Sequence, residues 1–264
     1  MKNILITGAC GGMGKATSSL LMEKGYNVIG VDVQSSIDLP ITYYQVDLTN
    51  INQIQSVFNS VCKNYEKLDA IIHFAGVYKM DSLIEIEEEK LVQIFNVNVF
   101  GVYRINKTFM PLLKKGSKII ITSSELAPLD PLPFTGLYAT TKATLEKYAY
   151  SLKMELQLLG IDVSVIRPGA VKTNILDVSI KELDVLCDKT NLYKTNTKRF
   201  KKIVESVESK YVEPIKIAKL AQKILSAKRP KFVYNVNRNF LLKVLNFLPK
   251  RLQLYIIKRI LIDK

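Results

Sequence analysis

Cysteine is scarce in this sequence: Cys10, Cys62 and Cys187 are the only three, odd in number and far apart. That argues against a disulfide framework or a cysteine-built metal site and suits a reducing compartment, so a cytoplasmic location is expected. No run reaches the ~18–20 uncharged apolar residues of a membrane span. No secretory signal is expected either, because Met1-Lys2-Asn3 leads straight into a short apolar strand and a glycine turn. Internal repeats, low-complexity tracts and Pro/Gly/Ser-rich linkers are absent. One domain over residues 1–238, followed by a tail over 239–264, is the division expected. With 48% hydrophobic and 23% charged residues, the composition excludes wholesale disorder.

Acidic residues are short in one place only. Residues 181–264 hold 21 Lys/Arg against 7 Asp/Glu, whereas residues 1–180 hold 17 of each. The net charge of +14 therefore belongs wholly to the C-terminal third. A solvated lysine-rich surface accounts for it, and so does a surface for an anionic membrane or ligand. The basic residues follow no nucleic-acid motif, so no nucleic-acid partner is expected.

What is present is a regular alternation. Lys2–Thr7, Asn27–Val33, Ile41–Asp47, Leu68–Phe74, Ser117–Ser123 and Ile161–Arg167 read as buried strands, with a seventh at Lys231–Val236. Between them, residues 12–24, 50–66, 88–114 and 136–159 carry apolar side chains at helical spacing. Such alternation predicts an α/β fold of the Rossmann-type: a doubly wound, mostly parallel seven-stranded sheet with helices on both faces.

The first strand ends in Thr7-Gly8-Ala9-Cys10-Gly11-Gly12-Met13-Gly14 and a helix follows. Glycines let a backbone approach an anion, and the free N–H groups and dipole of the helix favour negative charge. A P-loop would need Gly at position 9 and Ser/Thr at 16, and both are Ala. The dinucleotide turn fits, and Asp32 at the end of the second strand supports it. A carboxylate there accepts hydrogen bonds from ribose hydroxyls and repels a 2′-phosphate, so NAD is expected rather than NADP.

Two Tyr-x-x-x-Lys pairs occur, Tyr103 with Lys107 and Tyr138 with Lys142. In a helix each pair shares one face. Tyr138 opens the helix after the fifth strand, whose end carries Ser124, and ligands of open parallel sheets bind beyond the carboxyl ends of the strands. Tyr103 lies mid-helix without such a partner and reads as packing.

Taken in order, Gly8, Gly12 and Gly14, Asp32, Asp47-Leu48, Ala75-Gly76, Asn98, Ser124, Tyr138 with Lys142, and Pro168-Gly169-Ala170-Val171-Lys172-Thr173 resemble the short-chain dehydrogenase/reductase family in its shorter single-domain form. The resemblance covers roughly residues 1–175. It implies an oxidoreductase that interconverts a secondary alcohol and a ketone by hydride transfer with NAD(H) or NADP(H). It also implies catalysis by Asn98, Ser124, Tyr138 and Lys142. The cofactor is expected on Thr7, Gly8, Gly11, Gly12, Met13, Gly14, Asp32, Asp47, Leu48, Ala75, Gly76, Tyr138, Lys142, Pro168, Gly169, Val171 and Thr173. Tyr138 acts as general acid or base, and Lys142 and the oxidised nicotinamide, as positive neighbours, are expected to lower its pKa. Ser124 orients the substrate oxygen, Asn98 holds a water that links Lys142 to solvent, and no metal is required. One departure stands out: where the family has Asn-Asn-Ala-Gly, this chain has His73-Phe74-Ala75-Gly76. A structural role for His73 is expected over an acid–base one.

Substrate choice is expected to lie in residues 174–212, where Ile175, Leu176, Leu183, Val185, Leu186, Leu192 and Tyr193 mix with charges as a lid or as packing. The helices over 88–114 and 136–159 are expected to carry an exposed apolar stripe, Leu145, Tyr148, Leu152 and Leu156 included. By resemblance such helices pair into a homodimer or homotetramer. The tail over 239–262 interleaves apolar residues with Lys243, Lys250, Arg251, Lys258 and Arg259, and Pro249 should divide it into two helices. Its apolar faces either fold over the cleft or a neighbouring subunit, or lie on a membrane surface; the second would suit a lipophilic substrate. Two other functions compete: a non-catalytic NAD-binding regulatory or scaffold protein, and a sugar-nucleotide epimerase, for which the chain after Thr173 is short.

Overall fold

The computed structural model describes residues 1–208 and 210–262, and among these the side chains of 174–180 and 206–208 lie outside the described ones, Ile175 and Leu176 included. Seven strands form one sheet: β1 (Asn3–Thr7), β2 (Asn27–Asp32), β3 (Thr42–Gln45), β4 (Leu68–His73), β5 (Leu113–Thr122), β6 (Asp162–Pro168) and β7 (Val233–Val236). Their order is β3-β2-β1-β4-β5-β6-β7, and every pairing is parallel. The order reverses between β1 and β4, and that crevice is where an open sheet binds its ligand.

The crossovers are helical: α1 (Gly12–Glu23), α2 (Ile51–Asn64), α3 (Glu88–Phe95), α4 (Gly101–Phe109), α5 (Gly136–Leu156), α6 (Asn174–Lys189), α7 (Lys194–Glu208) and α8 (Pro214–Ser226). Strand alternation sends Leu5, Ile71, Ile119 and Ile121 to one face, under Val102, Ile105 and Phe109 of α4 and Leu145 of α5. Ile4, Ile6, Ile72 and Ile120 go to the other, under Leu21 of α1 and Ile217, Ala221 and Ile224 of α8. Each fully buried aliphatic side chain of this kind contributes about 1.5–3 kcal/mol. A third cluster, Met80, Leu183, Phe200 and Leu261, lies beyond the sheet edge beneath the helices that follow β6.

Three expectations change in detail. The single helix over 88–114 is two, because Asn96–Phe100 forms a π-helical turn between α3 and α4. Pro111 sits in a 3-10 turn at Met110–Leu112 that ends the run, since proline has no N–H to continue it, and β5 starts at Leu113 rather than Ser117. The stretch 174–212 is mainly two helices, α6 and α7. The proposed surface stripe fails at two positions: Leu145 and Leu156 are core residues, and Tyr148 and Leu152 pack partly against that core. The apolar groups these segments do expose are Val92, Phe100, Tyr103, Tyr150, Met154, Leu158 and Leu159.

The tail forms α9 (Phe240–Phe247) and α10 (Lys250–Leu261), separated by Leu248-Pro249. Asn239 caps α9 by accepting from the Leu241 and Leu242 N–H groups at 2.9 and 3.2 Å. The pair folds back onto the domain. Asn246 Oδ1 accepts the Asp130 N–H at 2.7 Å, Lys250 pairs with Asp130, and Asn196 Nδ2 donates to the Leu261 carbonyl at 2.8 Å.

Candidate active site

The glycine turn after β1 is shaped by contact as well as by dihedral freedom. Gly8 adopts φ +71°, and a Cβ there would lie 2.5 Å from the Ala75 nitrogen. A Cβ on Gly14 would drive into the Gly8 carbonyl, and one on Gly12 would lie 2.7 Å from Thr173 Cγ2. The turn therefore packs against both the Ala75-Gly76 turn after β4 and the loop after β6. A cleft of about 740 Å³ opens over it, lined by Gly8, Gly11, Gly12, Met13, Gly14, Asp32, Asp47, Leu48, Ala75, Gly76 and Thr173. Its shape, glycine floor and carboxylate end fit an extended dinucleotide.

Asp32 holds the turn as well as facing the cleft. Its Oδ2 accepts the Cys10 N–H at 2.9 Å and its Oδ1 the Gln34 N–H at 3.2 Å, leaving lone pairs for ribose hydroxyls. Lys15, the nearest candidate for a 2′-phosphate, lies 3.8 Å from the Asp38 carboxylate instead. Asp47 accepts from the Thr49 N–H and hydroxyl, both at 2.8 Å, and so fixes the floor beside Leu48. Thr7 differs from expectation. It is buried beneath the turn, where its Oγ1 accepts from the Ala75 N–H at 3.4 Å, and it lines no part of the cleft.

A second cavity of about 200 Å³ adjoins the first, and Met13, Phe74, Gly76, Val77 and Thr173 line both. At its polar end the Ser124 hydroxyl neighbours the Tyr138 phenol. The Tyr138 ring stacks on Tyr78, centroids 4.6 Å apart, and the Lys142 ammonium lies 5.5 Å from its centre. Lys142 donates to the Thr122 carbonyl at 3.1 Å. Burial pulls its pKa down to about 8. Burial pushes the Tyr138 phenol well above 10, and the Ser124 hydroxyl beside it offsets part of that rise. In the protein by itself burial thus outweighs the expected lowering by Lys142, whose ammonium faces the ring.

Asn98 sits in the π-helical turn. Its Oδ1 accepts the Val77 N–H at 2.8 Å, and its Nδ2 donates to the Val77 carbonyl at 2.9 Å and the Thr141 hydroxyl at 3.1 Å. It ties the turn after β4 to α5. Pro168, Gly169 and Val171 line the second cavity with Thr173. Their loop is held by Lys172 N–H on Val212 O, at 2.9 Å, and Val212 N–H on Ala170 O, at 3.1 Å.

His73 is buried on the far side of β4, where its Nε2 meets Asn106 Oδ1 at 2.9 Å. Burial lowers its pKa to about 4, so it is neutral and lines neither cavity.

Sequence reasoning passed over part of the second cavity. Tyr78, Met80, Phe200 and Leu242 form its apolar walls, and Glu125 adds a carboxylate. The walls come from three separate segments, which no local pattern joins. Glu125 had a signal, since it follows Ser124 at the ligand-binding end of β5.

Comparison with known proteins identifies the family and the fold. The family model for short chain dehydrogenases matches residues 2–184. A 3-ketodihydrosphingosine reductase of Bacteroides thetaiotaomicron is 29% identical over 231 residues, covering 87% of this chain and 85% of that protein. A diacetyl reductase of Staphylococcus epidermidis is 28% identical over 200 residues, 71% of this chain and 78% of its own. Among solved structures, a short chain dehydrogenase family protein of Francisella tularensis superimposes with a TM-score of 0.75 at 24% identity, covering 89% of this chain and 97% of that one. A 3-ketoacyl-(acyl-carrier-protein) reductase of Brucella melitensis, solved with NADH, gives 0.71 at 20% identity over 89% and 96%. The chain belongs to the short-chain dehydrogenase/reductase family, NAD(P)-binding oxidoreductases that act on alcohol and ketone substrates.

Proposed function

We propose that this chain interconverts a lipophilic ketone and its secondary alcohol, with NAD(H) preferred and Tyr138 as the proton-transferring group. The observation that carries the reading is the gathering of Ser124, Tyr138 and Lys142 in one pocket where a dinucleotide-sized cleft meets apolar walls. A dinucleotide held over Gly8, Gly12, Asp32 and Gly76 would supply a hydride to the carbonyl carbon in the reducing direction. Tyr138 gives its proton to the carbonyl oxygen, and Ser124 donates a hydrogen bond to the same oxygen as negative charge builds there. A phenol pushed up by burial holds its proton at neutral pH, the form that reduction uses. Lys142, buried beside it, holds the cofactor ribose and steadies charge on the phenol oxygen. Asn98 keeps the Gly76–Val77 backbone in place against the cleft.

The apolar walls favour a hydrocarbon body on the substrate, and the Bacteroides relative is named for a lipid ketone. Asp32 favours NAD(H) for the like-charge reason given above. A binding protein without turnover would have no use for Ser124 and Tyr138 together at the meeting of the two cavities. The test follows absorbance of reduced nicotinamide while purified protein meets long-chain ketones, steroid ketones and diketones. Bound NADH with no ketone reduced would sink the proposal.

The partner proposed for the outer face of α9 and α10 is an anionic bilayer surface. Phe240, Leu241, Phe247, Leu254 and Tyr255 are exposed there, Phe247 by 82%. Residues 239–262 hold five Lys/Arg and no acid, so the charge complements anionic headgroups. Leu242, on the inner side of α9, lines the second cavity, so a docking face on α9 would adjoin it.

A further inference from the structure

Glu125 is a carboxylate in a pocket walled otherwise by apolar groups, hydroxyls and the buried Lys142 side chain, which forms no ion pair with it. It follows Ser124 directly, and its own N–H continues the sheet ladder onto the Pro168 carbonyl at 2.9 Å. Only 8% of the residue is exposed. One carboxylate oxygen, Oε2, accepts the Asn239 N–H at 2.6 Å, where the tail begins. The other, Oε1, has no hydrogen-bond partner among the described residues. It lies 2.9 Å from where a Cβ on Gly169 would be, and Gly169 lines the same pocket. No described cation forms an ion pair with Glu125; Arg238 acts on it from a distance, and Lys142 is bound to the Thr122 carbonyl.

A buried carboxylate accepts up to about four hydrogen bonds, and leaving it without a counter-charge is costly. Bringing a cation to Oε1 removes that cost, and an aliphatic ammonium suits the surroundings, since the rest of its molecule can be hydrocarbon. Met80, Leu132, Phe200, Val204 and Leu242 offer such a molecule an apolar wall. Because Glu125 adjoins Ser124, the ammonium belongs on a carbon near the carbonyl that Ser124 and Tyr138 address.

We propose that Glu125 is a specificity-determining residue, whose free carboxylate oxygen binds a primary ammonium next to the reacting carbonyl, so that the substrate class is long-chain amino ketones. This rests on the reading of the chain as a ketone reductase. Gly169 keeps the oxygen open, since any side chain there would meet Glu125 and the Asn237 carbonyl.

The test compares wild type with Glu125→Gln, which keeps an acceptor oxygen for the Asn239 N–H while removing the charge. Both proteins, with NADH, are given an aliphatic 2-amino ketone and the same ketone without the amine. In wild type the amino ketone has the higher kcat/KM. In Glu125→Gln the ratio between the two substrates falls by about ten- to a hundredfold, mostly through KM, the scale of a charge-assisted hydrogen bond. An unchanged ratio would overturn the proposal and leave Glu125 as a brace for the tail. A binding arm separates this from the reading of the reaction: decylamine and decanol are titrated into each protein saturated with NAD⁺. An amine preference present in wild type and lost in Glu125→Gln upholds the site even where no ketone is reduced. An equal amine preference in both proteins rejects it even where ketones are reduced.

Discussion

His73 Nε2 and Asn106 Oδ1 meet at 2.9 Å across the junction of β4 and α4, and Asn106 passes the contact on through its Nδ2 to the Tyr148 hydroxyl at 3.1 Å. This chain of polar groups is buried between the sheet and two helices, away from the cleft. It makes His73 a titrating element of stability rather than of catalysis. The folded pKa, about 4, lies below the ordinary value of 6.5. Between those values the unfolded chain binds a proton that the folded one does not, so stability falls as pH drops through that window. The full contribution is about 3 kcal/mol, present above pH 6.5 and lost toward pH 4. His73→Asn should flatten the slope of unfolding free energy against pH in this window, whatever it does to stability at pH 7. Denaturant unfolding from pH 4 to 7 reads it, and identical slopes in the two proteins would refute the assignment.

Tyr138 and Tyr103 share a sequence pattern but not an environment. Tyr103 is partly exposed, with Lys107 5.6 Å above its ring, whereas Tyr138 lies beside Ser124 inside the pocket. Tyr138→Phe should cut kcat by at least about a hundredfold, the usual scale of a general acid, while leaving NADH affinity nearly intact. Tyr103→Phe should leave both within about twofold. Steady-state rates with fluorescence titration of NADH decide it, and equal losses from the two changes would mean that the proton donor lies elsewhere.

On the proposed reading, cofactor choice turns on Asp32. NADH should bind wild type more tightly than NADPH, and Asp32→Ala should narrow the gap or reverse it. The same substitution removes the acceptor for the Cys10 N–H, so NADH affinity itself should fall as the turn loosens. Tighter binding of NADPH by wild type would show that Lys15, not Asp32, governs this end of the cleft.

How much of this could be read from residues alone depended on how local the cause was. The strands and the glycine turn follow from short patterns: β-branched runs, glycines before a helix, an aspartate ending β2. Leu145 and Leu156 misled because an apolar residue at helical spacing does not say which neighbour covers it, and here the sheet does. The π-helical turn at Asn98 has no local signature. Glu125 and Leu242 share a pocket although 117 positions separate them, and only the folded chain brings α9 back over the end of β5.

The tail gives the last prediction. Its inner residues hold it in place, the Leu261 carbonyl accepting from Asn196 Nδ2 at 2.8 Å and the Leu261 side chain packing with Phe200. Its outer residues, Phe240 at 74% exposure and Phe247 at 82%, touch little of the protein. The double substitution Phe240→Ser with Phe247→Ser should therefore change the melting temperature slightly and vesicle binding greatly. Wild type should co-sediment with vesicles containing anionic phospholipid, bind weakly to neutral ones, and detach as salt rises, because screening shortens the reach of Lys243, Arg251, Lys258 and Arg259. Lys243→Glu with Arg251→Glu should weaken binding to anionic vesicles while leaving the weak neutral binding alone. Lys250 is unsuitable for this purpose because it pairs with Asp130. If wild type ignores both kinds of vesicle at low salt, the exposed apolar face is not a bilayer contact. If it binds both equally and is indifferent to salt, the basic residues have no part in docking.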